Sequence, residues 1–212
     1  PIPLPTSESA YVLPSEFPEK AQQEAEQLRY NTISEQEIMR RRDMRSTLTF
    51  TIDPDDAKDF DDALSFKILD TGNYQIGIHI ADVTHYVSEG TAIDEEAYQR
   101  GTSIYLVDRV IPMLPEELCN ELCSLREGED KLCMSVVVEM DQQAKVIRHK
   151  ICRTVICSNY RLSYQQAQEI IENPQTTGFD AKKKALTEAL VVLNQLAHTL
   201  RSKRFEHGAI NF

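Results

Sequence analysis

The sequence predicts an α+β fold: a bent, mainly antiparallel mixed sheet with helices packed against it. Three observations carry this. β-rich runs at residues 48–52, 63–69 and 74–83 follow one another closely, and Thr71-Gly72-Asn73 is a turn between the last two. A second hairpin forms from Lys131–Met140 and Lys145–Cys157, joined at Asp141-Gln142-Gln143-Ala144. Leu186, Leu190, Leu193, Leu196 and Leu200 make the apolar stripe of a helix from about Asp180 to Phe205. A helix of that length and amphipathicity lies across a sheet and buries its stripe there.

In chain order, residues 1–16 carry four prolines and few core-forming residues, which predicts an extended arm. Residues 17–30 are rich in Glu, Gln and Ala and predict a helix. Ser34-Glu35-Gln36-Glu37 is a capping box opening a second helix, which ends in the basic run Arg40-Arg41-Arg42-Asp43-Met44-Arg45. Cations at a helix C-terminus are favourable for dipole reasons alone, and an RNA contact is the alternative. Residues 1–46 are therefore expected to form an arm and a helical linker, and residues 47–212 the main domain. Ala92–Arg100 predicts a short helix stopped by Gly101, Thr102–Val107 a β-rich run, and Ile111-Pro112-Met113-Leu114-Pro115 a buried corner that two prolines keep irregular. Glu116–Cys123 predicts a short helix. Ser163-Tyr164-Gln165-Gln166 is a second capping box, and Asn173-Pro174 ends the helix it opens. Ile210-Asn211-Phe212 looks like the start of another strand.

The chain has 212 residues and a formal net charge of −11, which argues against a general polyanion-binding surface. No apolar run approaches the ~20 residues that a membrane-spanning helix needs. The opening proline and the lack of a signal-peptide pattern lead us to expect a fragment or a processed form. Cys119, Cys123, Cys133, Cys152 and Cys157 show neither CxxC nor zinc-site spacing. Reduced thiols in a cytoplasmic protein are the expectation.

One stretch demands a chemical explanation. Asp53-Pro54-Asp55-Asp56-Ala57-Lys58-Asp59-Phe60-Asp61-Asp62 holds six carboxylates against one lysine, between two β-rich runs. Like charges at such spacing raise one another's pKa. Either the loop is fully solvated or a cation neutralises it. All-oxygen ligands favour a hard ion, Mg²⁺ with Mn²⁺ as a substitute. A calcium loop of the EF-hand kind does not fit: counted from Asp53, the sixth position is Lys58 rather than Gly and the twelfth is Leu64 rather than Glu.

The segment Thr51–Ser65 closely resembles the catalytic signature of the ribonuclease II / ribonuclease R family. Further blocks follow in that family's order: His79-Ile80-Ala81-Asp82-Val83, Arg100-Gly101-Thr102-Ser103-Ile104-Tyr105, Ile111-Pro112-Met113-Leu114-Pro115, Leu122-Cys123-Ser124-Leu125 and Gly208-Ala209-Ile210-Asn211-Phe212. The likeness is closer to the ribonuclease R branch. It implies that residues 47–212 are the N-terminal portion of an RNB-type catalytic domain that hydrolyses RNA processively from the 3′ end to nucleoside 5′-monophosphates with Mg²⁺.

By this resemblance Asp53, Asp59, Asp61 and Asp62 are the catalytic carboxylates. Asp53, Asp59 and Asp62 would be the metal ligands, and Asp61 would position the attacking water. Tyr105 matches the family tyrosine that stacks on 3′-terminal bases; from the sequence alone it would be a core residue with a satisfied hydroxyl. His79 is expected in the core beside the site. The partner implied is a single-stranded RNA 3′ end. Flanking OB-type domains and a later arginine-bearing motif, both typical of the family, are not in these residues, so the fragment is expected to be weakly active or inactive alone. Two other readings stand beside this one: a related non-catalytic RNA-binding or scaffold domain, and a cation-binding module unrelated to RNA.

Overall fold

The computed structural model describes residues 16–107, 109–176 and 181–210. In chain order the elements are α1 (Glu19–Arg29), α2 (Glu35–Met39), β1 (Arg42–Asp43), β2 (Leu48–Asp53), β3 (Asp62–Ile68), β4 (Tyr74–Ala81), α3 (Ala92–Arg100), β5 (Ile104–Tyr105), β6 (Val110–Ile111), a π-helical turn (Glu117–Leu122), β7 (Asp130–Met140), β8 (Val146–Cys157), β9 (Tyr160–Ser163), α4 (Tyr164–Glu172) and α5 (Ala181–Glu206). They fall into two compact units. One comprises residues up to Thr32 with Val83–Leu122, the other Ile33–Asp82 with Cys123 onward.

The larger unit is built on a seven-stranded sheet of order β1-β8-β7-β4-β3-β2-β9. The β2/β3, β3/β4, β4/β7 and β7/β8 ladders are antiparallel, and the short edge strands β1 and β9 pair in parallel, with β8 and β2. The α+β architecture with a mainly antiparallel sheet is as the sequence predicts. Alternation sends Phe50, Phe66, Ile76 and Met140 to one face, where they pack with Leu162, Ala167 of α4 and Leu186, Ala189, Leu190 and Leu196 of α5. Each such buried leucine contributes roughly 1.5–3 kcal/mol. The predicted stripe is buried through Leu196, with Leu193 half-buried, but Leu200 emerges at the surface. Helices α4 and α5 cover the face only around Phe66 and Ile76. Farther along the same face Ile78, Ile80, Met134 and Ile151 on neighbouring strands remain exposed.

The opposite face carries a buried polar row. His79 on β4 is fully buried and lies between Ser65 (Nε2 to Oγ, 2.9 Å) and Ser135 (Nδ1 to Oγ, 2.7 Å), and Ser135 continues to Thr154 at 2.6 Å. Burial lowers the His79 pKa to about 4, so the imidazole is neutral. Gly77 makes room for this ring: a Cβ there would meet Ser65 Oγ and lie 2.5 Å from His79 Nε2. None of the five cysteines is in a disulfide.

The capping box at Ser163 forms in both directions, with Oγ accepting from the Gln166 amide and the Gln166 side chain accepting from the Ser163 amide. At Ser34 only the forward bond forms. The Glu37 carboxylate instead takes the guanidinium of Arg41 at 2.7 Å. Helix α2 is a single turn, and the basic run behind it is not a solvent-facing helix end. Arg41 turns inward to Asp82 at 2.8 Å with its side chain fully buried, and Arg42 enters β1. Of the basic run, Arg41 is thereby withdrawn from solvent, while Arg40 and Arg42 stay exposed.

The smaller unit packs α1 and α3 through Ala21, Ala25, Ile93 and Leu118. Glu24 of α1 accepts the first free amides of α3, from Ala92 at 3.1 Å and Ile93 at 3.0 Å. Gly101 stops α3 at φ 71°, as predicted. Arg100 stacks over Phe17 at 3.8 Å and donates to the Pro112 carbonyl. Two expectations shrink. The β-rich run 102–107 forms only Ile104–Tyr105, because its partner Val110–Ile111 supplies just two residues. The helix expected over 116–123 is a wide π turn. Residues 1–15 of the predicted arm, the loop residues 177–180, and Asn211 and Phe212 of the expected last strand lie outside the described residues.

Candidate active site

The acidic stretch joins two adjacent antiparallel strands: Asp53 is the last residue of β2 and Asp62 the first of β3. The β2/β3 pairing runs from Leu48↔Phe66 to Phe50↔Leu64, and the chain opens beyond it. Strand β3 then pairs with β4 from Asp62↔Ile80 onward, and the Ala81 amide donates to the Asp61 carbonyl at 2.9 Å. The ends of the acidic loop are thus fixed by the sheet.

Its middle is fixed from outside. The Phe60 amide donates to Ser124 Oγ (3.0 Å), that hydroxyl donates to the Lys58 carbonyl (2.9 Å), and the Leu125 amide donates to the Phe60 carbonyl (2.8 Å). Pro54–Ala57 closes a turn at 3.1 Å. Arg161 of β9 donates from Nη2 to the carbonyls of Pro54 (3.0 Å) and Asp55 (2.6 Å). The Leu122–Leu125 block singled out in the sequence therefore has a physical role in Ser124 and Leu125. Arg161 carried no sequence signal beyond being a cation in a short apolar segment.

Asp53, Asp59, Asp61 and Asp62 lie within electrostatic reach of one another. Burial raises the Asp53 carboxyl above the usual range; the neighbouring Thr51 hydroxyl, within hydrogen-bonding reach, opposes the rise, the charges of Asp62 and Asp59 add to it, and Arg161 opposes it. Burial also raises Asp61, helped by Asp59, Asp62 and Asp53, although its side chain keeps contact with solvent. Asp53 Oδ2 and the Thr51 hydroxyl beside it are both buried without a well-aligned hydrogen bond, and a cation would satisfy the carboxylate oxygen. The donor set is all oxygen and net negative, which fits a hard divalent ion. Among the described residues no three His, Cys, Asp or Glu side chains are already gathered as a finished cage.

His79 does not reach this cluster; both its ring nitrogens are engaged by serines in the sheet. Tyr105 belongs to the smaller unit, where it is 70% exposed on β5. It is a surface tyrosine rather than the core residue its β-run would otherwise imply.

A domain of this fold with such an acidic loop defines a class, and the comparisons name it. The chain belongs to the RNB domain family, whose profile matches residues 41–212. It is 44% identical over 198 residues to ribonuclease R of Thermotoga maritima, spanning 93% of this chain and 27% of that protein. Among solved structures it resembles Mycoplasma genitalium RNase R in complex with ribose-methylated single-stranded RNA, with a TM-score of 0.83 and 29% identity over 94% of this chain and 30% of the other. A yeast pseudonuclease has the same fold, with a TM-score of 0.68 at 21% identity over 82% of this chain and 21% of its own. The chain thus spans about a quarter to a third of the length of the ribonuclease R proteins it matches. Among the described residues no helix is long and apolar enough to cross a membrane.

Proposed function

We propose that this chain carries the metal-binding part of an exoribonuclease active site, which cleaves single-stranded RNA from its 3′ end and releases nucleoside 5′-monophosphates. The observation that carries the reading is the fixed loop that keeps Asp53, Asp59 and Asp62 within electrostatic reach of Asp61, with Asp53 Oδ2 buried and without a well-aligned hydrogen bond. Asp53, Asp59 and Asp62 hold the divalent ions, Mg²⁺ by preference with Mn²⁺ as a substitute. Bound there, such ions neutralise charge on the leaving 3′-oxygen and ease deprotonation of water.

The residues themselves do the positioning. Asp61, anchored through its carbonyl to Ala81, accepts a hydrogen bond from the attacking water and aligns it with phosphorus. The P–O3′ bond breaks as the new P–O bond forms. Tyr105, exposed on β5, stacks on a 3′-terminal base, worth about 1–3 kcal/mol without sequence preference. A protein built from this chain and further RNA-gripping domains of OB type would supply processivity.

The second reading, a non-catalytic RNA-binding or scaffold domain, draws on the pseudonuclease of the same fold. The complete set of four aspartates speaks against it. The test is isothermal titration of Mn²⁺ into the chain and into Asp61→Asn/Asp62→Asn, paired with hydrolysis of a 5′-labelled, 3′-tailed RNA by a longer protein containing this chain. Binding lost in the double variant and stepwise shortening from the 3′ end support the exonuclease. Intact RNA under conditions where Mn²⁺ binds favours the scaffold.

A further inference from the structure

We propose that Arg161 is a positioning residue that holds the acidic loop in its cation-ready conformation before any ion arrives. For the identity of the ion this rests on the reading above. The geometry is specific. A single guanidinium nitrogen, Nη2, reaches two successive carbonyls, Pro54 at 3.0 Å and Asp55 at 2.6 Å, directly behind Asp53. The same guanidinium lies 5.5 Å from the centre of the Phe60 ring, within cation–π range, so it touches the loop at its start and near its end.

The arm that delivers it is itself fixed. Arg161 lies on β9, which pairs in parallel with β2 at Thr51↔Arg161 and Asp53↔Ser163, and its amide donates to Glu127 Oε2 at 3.0 Å. The side chain holds this pose although its Nε is buried with no partner, a burden that the carbonyl bonds offset. A loop of six carboxylates repels itself and tends to splay. Arg161 counters this by gripping backbone oxygens of the loop rather than its carboxylates. A lysine ammonium has donors for the two carbonyls but not the planar guanidinium that lies over Phe60, so it reproduces the grip only in part.

Hydrogen exchange of the metal-free chain, read residue by residue, tests the inference alongside Mn²⁺ titration. In Arg161→Ala the amides of Ala57 and Phe60 should exchange at least tenfold faster, while Val137 and Ile151 in the β7/β8 ladder keep their rates. Arg161→Lys should fall between, and the Mn²⁺ dissociation constant should rise at least fivefold in Arg161→Ala. Unchanged exchange at Ala57 and Phe60, or acceleration that spreads equally to the ladder, overturns the positioning role. Absence of Mn²⁺ binding in the unmodified chain strikes down the metal reading instead, and the exchange rates still decide the role of Arg161.

Discussion

Arg41 and Asp82 form an ion pair at 2.8 Å in which the two side chains are 0% and 3% exposed. The guanidinium also holds Glu37 and donates to the Cys133 carbonyl at 3.4 Å. Asp82, which follows β4, takes a backbone bond to the Leu132 carbonyl at 2.9 Å. The pair thus links the segment before the sheet to its two central strands. Removing one partner strands a buried charge. We expect Arg41→Ala to lose about 3–5 kcal/mol in urea unfolding, and Arg41→Met paired with Asp82→Leu to recover most of it.

The buried imidazole of His79 predicts a pH dependence. Its folded pKa is about 4 against an ordinary 6.5. Between these values the unfolded chain binds the proton and the folded chain does not, so stability rises with pH across the window. The contribution is fully present above pH 6.5 and is lost as pH falls toward 4, by roughly 3 kcal/mol. Denaturation midpoints from pH 7 to 4.5 should therefore fall more steeply for the unmodified chain than for His79→Gln, with the difference between the two curves isolating this residue.

Gly77→Ala should be among the most damaging small substitutions. Its methyl group would enter the space held by Ser65 Oγ and the His79 ring, both fixed in a buried network. Overpacking of that kind costs about 1–3 kcal/mol. Gly72→Ala makes a useful contrast, since a methyl group there meets nothing within 4 Å and the strain comes from its φ of 79° alone. Thermal unfolding of both variants checks the order.

The acidic loop should show opposed effects on stability and function. Asp61 has a raised pKa, so the unfolded chain is the more fully ionised of the two above the ordinary range; the loop's stability is greatest at low pH and declines as pH rises past that range. At neutral pH the charge opposes folding. Asp61→Asn should raise the metal-free Tm by roughly 1–3 °C, a small effect because solvent screens an exposed group. The same change should abolish turnover in the longer protein while leaving RNA affinity nearly intact. A variant that melts lower without metal would contradict this account.

Competition with protons follows from the same shifts. Because burial raises Asp53, a proposed ligand, protons should compete with Mn²⁺ there more strongly than at an ordinary carboxylate. In titrations, Mn²⁺ binding should weaken as pH is lowered toward the carboxylate range, and should do so at higher pH in the unmodified chain than for an ordinary exposed carboxylate site; affinity that stays flat down into that range would contradict a role for Asp53 as a ligand.

What the sequence made legible was whatever its local chemistry declares. The Ser163 box, the Gly101 stop and the leucine spacing of α5 each act within one or two turns, and each falls where expected. Strands β3, β4, β7 and β8 are long enough for alternation to identify them. Strands β1 and β9 escaped notice because two and four residues hold no periodicity; they exist only through pairing with β8 and β2, far off in the chain. Arg41 looked like one more cation in a surface run, and nothing nearby in sequence announces Asp82. The four aspartates were visible as a cluster, whereas Arg161 and Ser124, which hold their backbone, were not. Carboxylate density advertises itself; the groups that restrain it come from distant segments and are ordinary residues in isolation.

The uncovered half of the sheet has a practical meaning. Ile78, Ile80, Met134 and Ile151 form a flat apolar terrace on neighbouring strands, bounded on one side by the helices over Phe66 and Ile76. Water on such a terrace is easily displaced. The chain in dilute solution should brighten a dye that fluoresces in apolar surroundings while its ellipticity stays native, a combination usually taken for a loosened core. Here the cause would be a well-ordered surface, and replacing Ile78 and Ile151 with threonine should quench the dye without softening the fold.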